Sequence, residues 1–284
     1  MKYINIFNMN DLITTYWAGY LKNANMRTLD MTPNYIDVVI LAFIGPRNDS
    51  SIDTSFLCSI YSEEQIKKWI NICHKKNIKV YFSILDSPDI TWDKVDLKTF
   101  AINLKQKMIE WKVDGIDIDA ESSMPDKGYI ENFINLATYI KKEINHYPLT
   151  YTCYTGIDGP DGSILNSIKD KIEYVQLMAY FYNYKQMIDL YNDYSMVMKD
   201  KIVIGVKAGK EDKTPLEEVI KLCIWNLKKK GIMLWTINRD TPYYTGCKSL
   251  TWAETIRDNL KDVNITNYIY YNILSLKNIL PCFN

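Results

Sequence analysis

Apolar runs of strand length alternate with amphipathic stripes of helical spacing through most of this chain, and that alternation limits the folds open to it. Residues 13–18 are rich in β-branched and aromatic side chains, and 36–43 are almost continuously apolar, as in a strand covered on both faces. Ser62-Glu63-Glu64-Gln65 has the form of a capping box, and Ile66, Trp69, Ile70 and Cys73 recur behind it at helical spacing. A strand is expected at 78–85, then a helix with Phe100, Leu104, Met108 and Trp111 on one face, then a strand from Val113. Phe133, Ala137, Ile140 and Ile144 form the next helical stripe. Strands at 149–154 and 174–180, a less regular helix over 186–198 and a strand at 202–206 continue the series. Thr214-Pro215-Leu216-Glu217 reads as a cap, a first-turn proline and an N3 glutamate ahead of Val219, Ile220, Cys223 and Leu227. A strand at 232–236 and a helix bearing Trp252, Ile256 and Leu260 close the pattern.

Eight strands with helices between them imply a parallel sheet with right-handed crossovers, and eight units in roughly 250 residues is the size of a single-domain (β/α)₈ TIM barrel, an α/β fold. A doubly wound open sheet would bring a glycine-rich phosphate turn, and the sequence has neither Gly-x-Gly-x-x-Gly nor a Walker A motif. The expected layout is a lead-in at 1–12, the barrel at 13–262, and an apolar extension at 263–284 packed on its outside.

The fourth strand carries the chemistry. Asp114-Gly115-Ile116-Asp117-Ile118-Asp119-Ala120-Glu121 places Asp117, Asp119 and Glu121 on one face and Ile116 and Ile118 on the other. Same-face neighbours on a strand stand about 6.5–7 Å apart, so ionising all three acids at once is unfavourable in a buried setting. One of them is expected to hold a proton near neutral pH, and Glu121, at the strand's end, is best placed to hand it to a substrate. A helix-loop-helix calcium site fits poorly, because Gly115 comes second and isoleucines fill the gaps between the acids. In a barrel, Asp119 and Glu121 fall at the C-terminal end of the strand, where active sites sit.

Composition narrows the partners. Lys plus Arg and Asp plus Glu balance at 34 each, leaving no basic field for nucleic acid or anionic lipid, so a neutral substrate is expected. No segment is long enough to span a membrane. Asn5, Asn8, Asn10 and Asp11 interrupt the N-terminal residues where a signal peptide would be apolar, which points to a cytoplasmic protein or one released by a non-classical route. The six cysteines show no paired spacing, and with His74 and His146 the only histidines, no metal and no cofactor are expected. A monomer is expected.

Asp114-x-x-Asp117-x-Asp119-x-Glu121 resembles the signature of glycoside hydrolase family 18, the chitinases and endo-β-N-acetylglucosaminidases. The likeness extends to Tyr16-Trp17, Ala42-Phe43, Ile78-Lys79-Val80 with Ser83, Tyr174-Val175 leading to Tyr180, Ile204-Gly205-Val206 and Gly231-Ile232-Met233-Leu234-Trp235, and is strongest to the short plant-type class III chitinases. It implies substrate-assisted hydrolysis of β-1,4-linked N-acetylglucosamine with retention, one of the exceptions to the two-carboxylate scheme. Glu121 is then the acid and base, Asp119 holds the acetamido N–H, Asp117 stands behind it, and Tyr180 holds the acetamido carbonyl, with Tyr182 as its rival. Trp235 forms the apolar floor under the sugar, Tyr16, Phe43, Met178 and Tyr182 line the cleft, and Asp114 and Ser83 give structural support. The sequence departs from the family where its third strand usually ends Ser-x-Gly-Gly: here it reads Ser83-Ile84-Leu85-Asp86. That change motivates a second reading, a carbohydrate-binding barrel without turnover. An endo-β-N-acetylglucosaminidase acting on N-glycans is a further alternative.

Overall fold

Side chains divide by parity along each strand, and that division builds the fold. The computed structural model describes residues 12–21, 26–85, 92–119, 121, 127–225 and 229–260. The elements follow as β1 (Leu12–Ala18), β2 (Val38–Pro46), β3 (Ile52–Asp53), α1 (Glu63–Lys75), β4 (Lys79–Leu85), α2 (Leu97–Trp111), β5 (Gly115–Asp119) and α3 (Lys127–Ile144). Then come β6 (Leu149–Cys153), α4 (Pro160–Ile168), β7 (Val175–Leu177), α5 (Tyr184–Met198), β8 (Ile202–Lys207), α6 (Leu216–Trp225), β9 (Gly231–Trp235), α7 (Pro242–Thr245) and α8 (Thr251–Leu260). The parallel strands run in the order β1-β9-β8-β7-β6-β5-β4-β2, and β1 pairs with β2 as well, which closes a (β/α)₈ barrel. The two-residue β3 makes an antiparallel hairpin with Gly45 and Pro46 at the end of β2.

Residues of one parity, such as Val80 and Phe82 on β4, Ile116 and Ile118 on β5, and Leu149 and Tyr151 on β6, face outward into the layer they share with Ile70, Phe100, Leu104 and Ile140 of the helices. The other parity fills the barrel. Val38, Tyr81 and Val203 come early on their strands and, with Tyr174 just before β7, close its N-terminal end, while Thr14, Ser83, Asp117, Thr150, Thr152 and Gln176 form a buried polar layer above them. Buried polar groups of this kind persist only when they hydrogen-bond one another, and here they do.

Three local details differ from the sequence expectation. The strand expected over 174–180 ends at Leu177; the Met178 N–H bonds Cys153 O at 3.0 Å and the chain then turns through Ala179–Phe181, so Tyr180 stands on a turn at the barrel mouth. Helix α4 has only Ile164, Leu165 and Ile168 as its apolar stripe, too few to announce it. Thr214 does not act as the predicted cap of α6: its hydroxyl accepts the Lys207 N–H at 3.0 Å. At the start of α5, Asn183 and Gln186 form a complete capping box, whereas at α1 Ser62 accepts the Gln65 N–H. Apart from Leu12, the lead-in lies outside the described residues, as do the extension at 263–284 and Asp86.

Candidate active site

Parallel register sets the site's frame. Ser83, Asp117 and Thr150 stand side by side on β4, β5 and β6, and one step higher Leu85, Asp119 and Thr152 do the same. Asp117, fully buried, therefore meets side chains from both flanking strands. Ser83 donates to its Oδ2 at 2.8 Å and Thr150 to its Oδ1 at 2.6 Å. From β1, the Tyr16 hydroxyl reaches across the interior and donates to Oδ2 at 2.7 Å. A hydroxyl has one proton to give, so the 2.7 Å contact between Tyr16 and Thr152 is filled by the Thr152 proton, leaving that residue's 3.2 Å approaches to Asp117 as secondary contacts. Gln176 shares its amide N–H₂ among Thr152, Tyr16 and Asp117 at 3.2, 3.3 and 3.4 Å, and Thr14 fixes the amide's orientation by donating to its Oε1 at 2.7 Å.

Burial pushes the Asp117 carboxyl up from the ordinary aspartate range, while the hydroxyls of Thr150, Tyr16, Ser83 and Thr152 pull it back down. Above it Asp119 is 2% exposed. Glu121, two residues past the end of β5, is half-buried, and burial raises its carboxyl as well. Two raised acids thus bracket Asp119 along this strand face.

Aromatic rings surround this row. Trp235, at the end of β9, meets Tyr16 edge-on at 5.2 Å and lies nearly parallel to Phe43 at 6.0 Å. Tyr16 and Phe43 are buried, so they brace Trp235 and leave its half-buried ring at the mouth. Tyr20 and Phe56 extend the group outward, stacked on each other at 4.3 Å; neither carries a sequence-level signal, because both lie on loops. Tyr180 is half-buried against the inner cluster, and burial, then Asp119 and Glu121, raise its hydroxyl well above the ordinary tyrosine value. It stays protonated and able to donate. Tyr182 is 39% exposed and lies near Tyr194. Met178 is buried beneath the turn. Gly205 gives Tyr180 its place, since a Cβ there would lie 2.3 Å from Leu177 O and 3.2 Å from the tyrosine Cδ1.

Asp114 sits at the opposite end of β5, where its Oδ2 accepts the Val80 N–H at 2.8 Å and bonds His74 at 2.9 Å. It ties α1 to the barrel floor, far from the mouth. Thr14, Thr150, Thr152 and Gln176 escape motif reading, yet each has the inward parity of its strand, and that signal was available. Among the described residues no group of His, Cys, Asp or Glu is arranged to hold a metal, and Cys58, Cys73, Cys153, Cys223 and Cys247 are free thiols.

Fold and site together define a (β/α)₈ barrel of the glycoside hydrolase type. The chain belongs to the family of the endo-β-N-acetylglucosaminidase EndoS TIM-barrel domain, which matches residues 9–219. Among solved structures it is similar to a GH18 chitinase from Pseudoalteromonas aurantia, at 18% identity over 88% of this chain and 100% of that one, with TM-score 0.69. It is also similar to a putative chitinase A from Streptomyces coelicolor, at 15% identity over 89% and 99% of the two chains, TM-score 0.71. A third, an Ostrinia furnacalis group IV chitinase in complex with allosamidin, shows 13% identity over 89% and 99%, TM-score 0.69. At such identities the likeness is one of fold, and it agrees with the family 18 resemblance carried by the acidic motif. Comparison with the curated proteins finds no match.

Proposed function

We propose that this protein hydrolyses β-1,4-linked N-acetylglucosamine, with retention, using the substrate's acetamido group as nucleophile. The observation that carries the reading is the row Asp117, Asp119, Glu121 rising from the buried hydroxyl cage to the mouth, beside Tyr180 and Trp235. Glu121, its carboxyl raised by burial, donates its proton to the glycosidic oxygen as the bond to C1 breaks. The acetamido carbonyl oxygen bonds C1 from the other face, giving an oxazolinium ring whose positive charge Asp119 offsets while it accepts the ring N–H. Tyr180 donates to the same carbonyl oxygen and orients it. Water then adds to C1, Glu121 takes its proton, and the ring opens to restore the acetamide. Asp117, held by Tyr16, Ser83 and Thr150, fixes the position and charge of Asp119 from below. Trp235 offers an apolar face to the C–H side of the sugar.

This bond occurs both in chitin and in the core of N-glycans, and the family match favours an endo-acting enzyme of the second kind. Mass spectrometry of products from N-acetylglucosamine oligomers and from an N-glycosylated protein tests the reading. Cleavage between two N-acetylglucosamines of either substrate is expected; folded protein that binds both and cleaves neither points instead to the sugar-binding barrel.

A further inference from the structure

The mouth of the barrel carries two cations that the acetamido mechanism does not use. Lys207 is the last residue of β8, of the same inward parity as Val203 and Gly205, and its Cα pairs in register with Trp235. Its Nζ lies 6.0 Å from the centre of the Tyr180 ring and pairs with the exposed Asp212, while Thr214 pins its backbone. Arg239 ends the turn Ile237–Arg239 that follows Trp235, and Asn238 of that turn is bonded to both backbone groups of Ala18 at the end of β1. Its guanidinium lies 5.9 Å from the Tyr244 ring, and its buried Nε has no hydrogen-bond partner among the described residues. A buried N–H left unsatisfied is costly and calls for an acceptor. The positive charge of Arg239 also reaches the hydroxyls of Tyr20 and Tyr180, pulling both downward against the effect of burial. It thus stands near Tyr20 and Tyr180, on the turn that follows Trp235 at the barrel mouth.

We propose that Arg239, backed by Lys207, is an anion-recognising edge of the sugar cleft, and that the glycan cleaved carries a carboxylate on the residue next to the N-acetylglucosamine. This rests on the hydrolase reading above. Asp212 pairs with Lys207, and Arg239 forms no ion pair among the described residues, which suits an anionic group on the substrate. A planar guanidinium fork matches a carboxylate in two parallel hydrogen bonds. Two carboxylated sugars supply that chemistry, the lactyl ether of a muramic acid residue and a uronic acid.

The test is calorimetric titration of the full chain carrying Glu121→Gln with three tetrasaccharides: neutral N-acetylglucosamine, N-acetylglucosamine alternating with N-acetylmuramic acid, and N-acetylglucosamine alternating with glucuronic acid. At least one carboxylated ligand is expected to bind about tenfold tighter than the neutral one, the size of one charge-assisted hydrogen bond, and to lose that margin as salt rises. Which of the two gains identifies the source. Adding Arg239→Gln should erase the preference, and Arg239→Lys should keep part of it. Neutral and carboxylated ligands binding alike, or Arg239→Gln and Arg239→Lys weakening all three equally, overturns this inference and leaves the hydrolase reading standing. Binding of none of the three overturns both.

Discussion

The Tyr16 hydroxyl donates to Asp117 Oδ2 at 2.7 Å, joining β1 to β5 through the middle of the barrel across 101 residues of sequence. The bond favours the ionised form of an acid whose carboxyl burial pushes upward. Tyr16→Phe keeps the ring against Trp235 and removes only the donor. The expected result is a loss of about 1–3 kcal/mol in unfolding free energy, with Asp117 shifted further upward. Since the carboxyls titrate as a set, the acidic limb of the kcat profile should move to higher pH. An unchanged limb in a folded variant would separate Asp117 from the titration that controls turnover.

Gly205 offers a test of positioning without changing a polar side chain. A Cβ at this position meets Leu177 O at 2.3 Å and Met233 Cε at 2.9 Å, with the Tyr180 ring next in line. Gly205→Ala should cost about 1–3 kcal/mol through overpacking and displace Tyr180. Thermal denaturation measures the first effect. A fall in kcat larger than any change in KM reports the second.

Trp235 is expected to contribute through its ring face alone. Trp235→Ala should reduce kcat/KM by about ten- to a hundredfold, in keeping with roughly 1.5–3 kcal/mol of lost apolar contact. Trp235→Phe should recover part of it. Steady-state kinetics on a single oligomer length distinguish these outcomes.

Stability should depend on pH through a buried carboxyl that caps a helix. Asp240 is fully buried and caps α8 through the Ala253 N–H at 2.9 Å, and burial raises its carboxyl to about 6. Between the unfolded carboxylate value near 4 and about 6, the folded chain binds the extra proton, so stability falls as pH rises through that window. Asp117 and Glu121, also raised, add to the same slope. Asp240→Asn keeps an acceptor for Ala253 and should flatten the decline, measured as melting temperature from pH 4 to 8. An equal loss at every pH would show that the anion itself is needed there.

Much of this architecture is legible in the chain because period two and period 3.6 are local signals. Ile116 and Ile118 face the helices and Asp117 and Asp119 the interior, as the alternation on β5 requires. Ser83 bonds Asp117 because parallel register sets them opposite each other. Less legible is the contact made by closure of the barrel, which no window of sequence contains, Tyr16 on Asp117, and so is the choice of Thr214, whose hydroxyl takes the Lys207 N–H in place of capping its helix. Tyr180 follows the same rule. Its strand is cut short at Leu177 and the turn that lifts it to the mouth depends on a bond to β6.

The central claim rests on Glu121, and replacing it by glutamine preserves shape while removing the transferable proton. The decisive measurement is release of a fluorophore from a chitotriose conjugate, and of glycan from an N-glycosylated protein, across pH 4–8 for wild type beside Glu121→Gln. The account predicts a bell-shaped profile for wild type on at least one substrate and a loss of about two to four orders of magnitude in the variant, the range of a positioned acid and base. Turnover retained in a folded Glu121→Gln protein would contradict it.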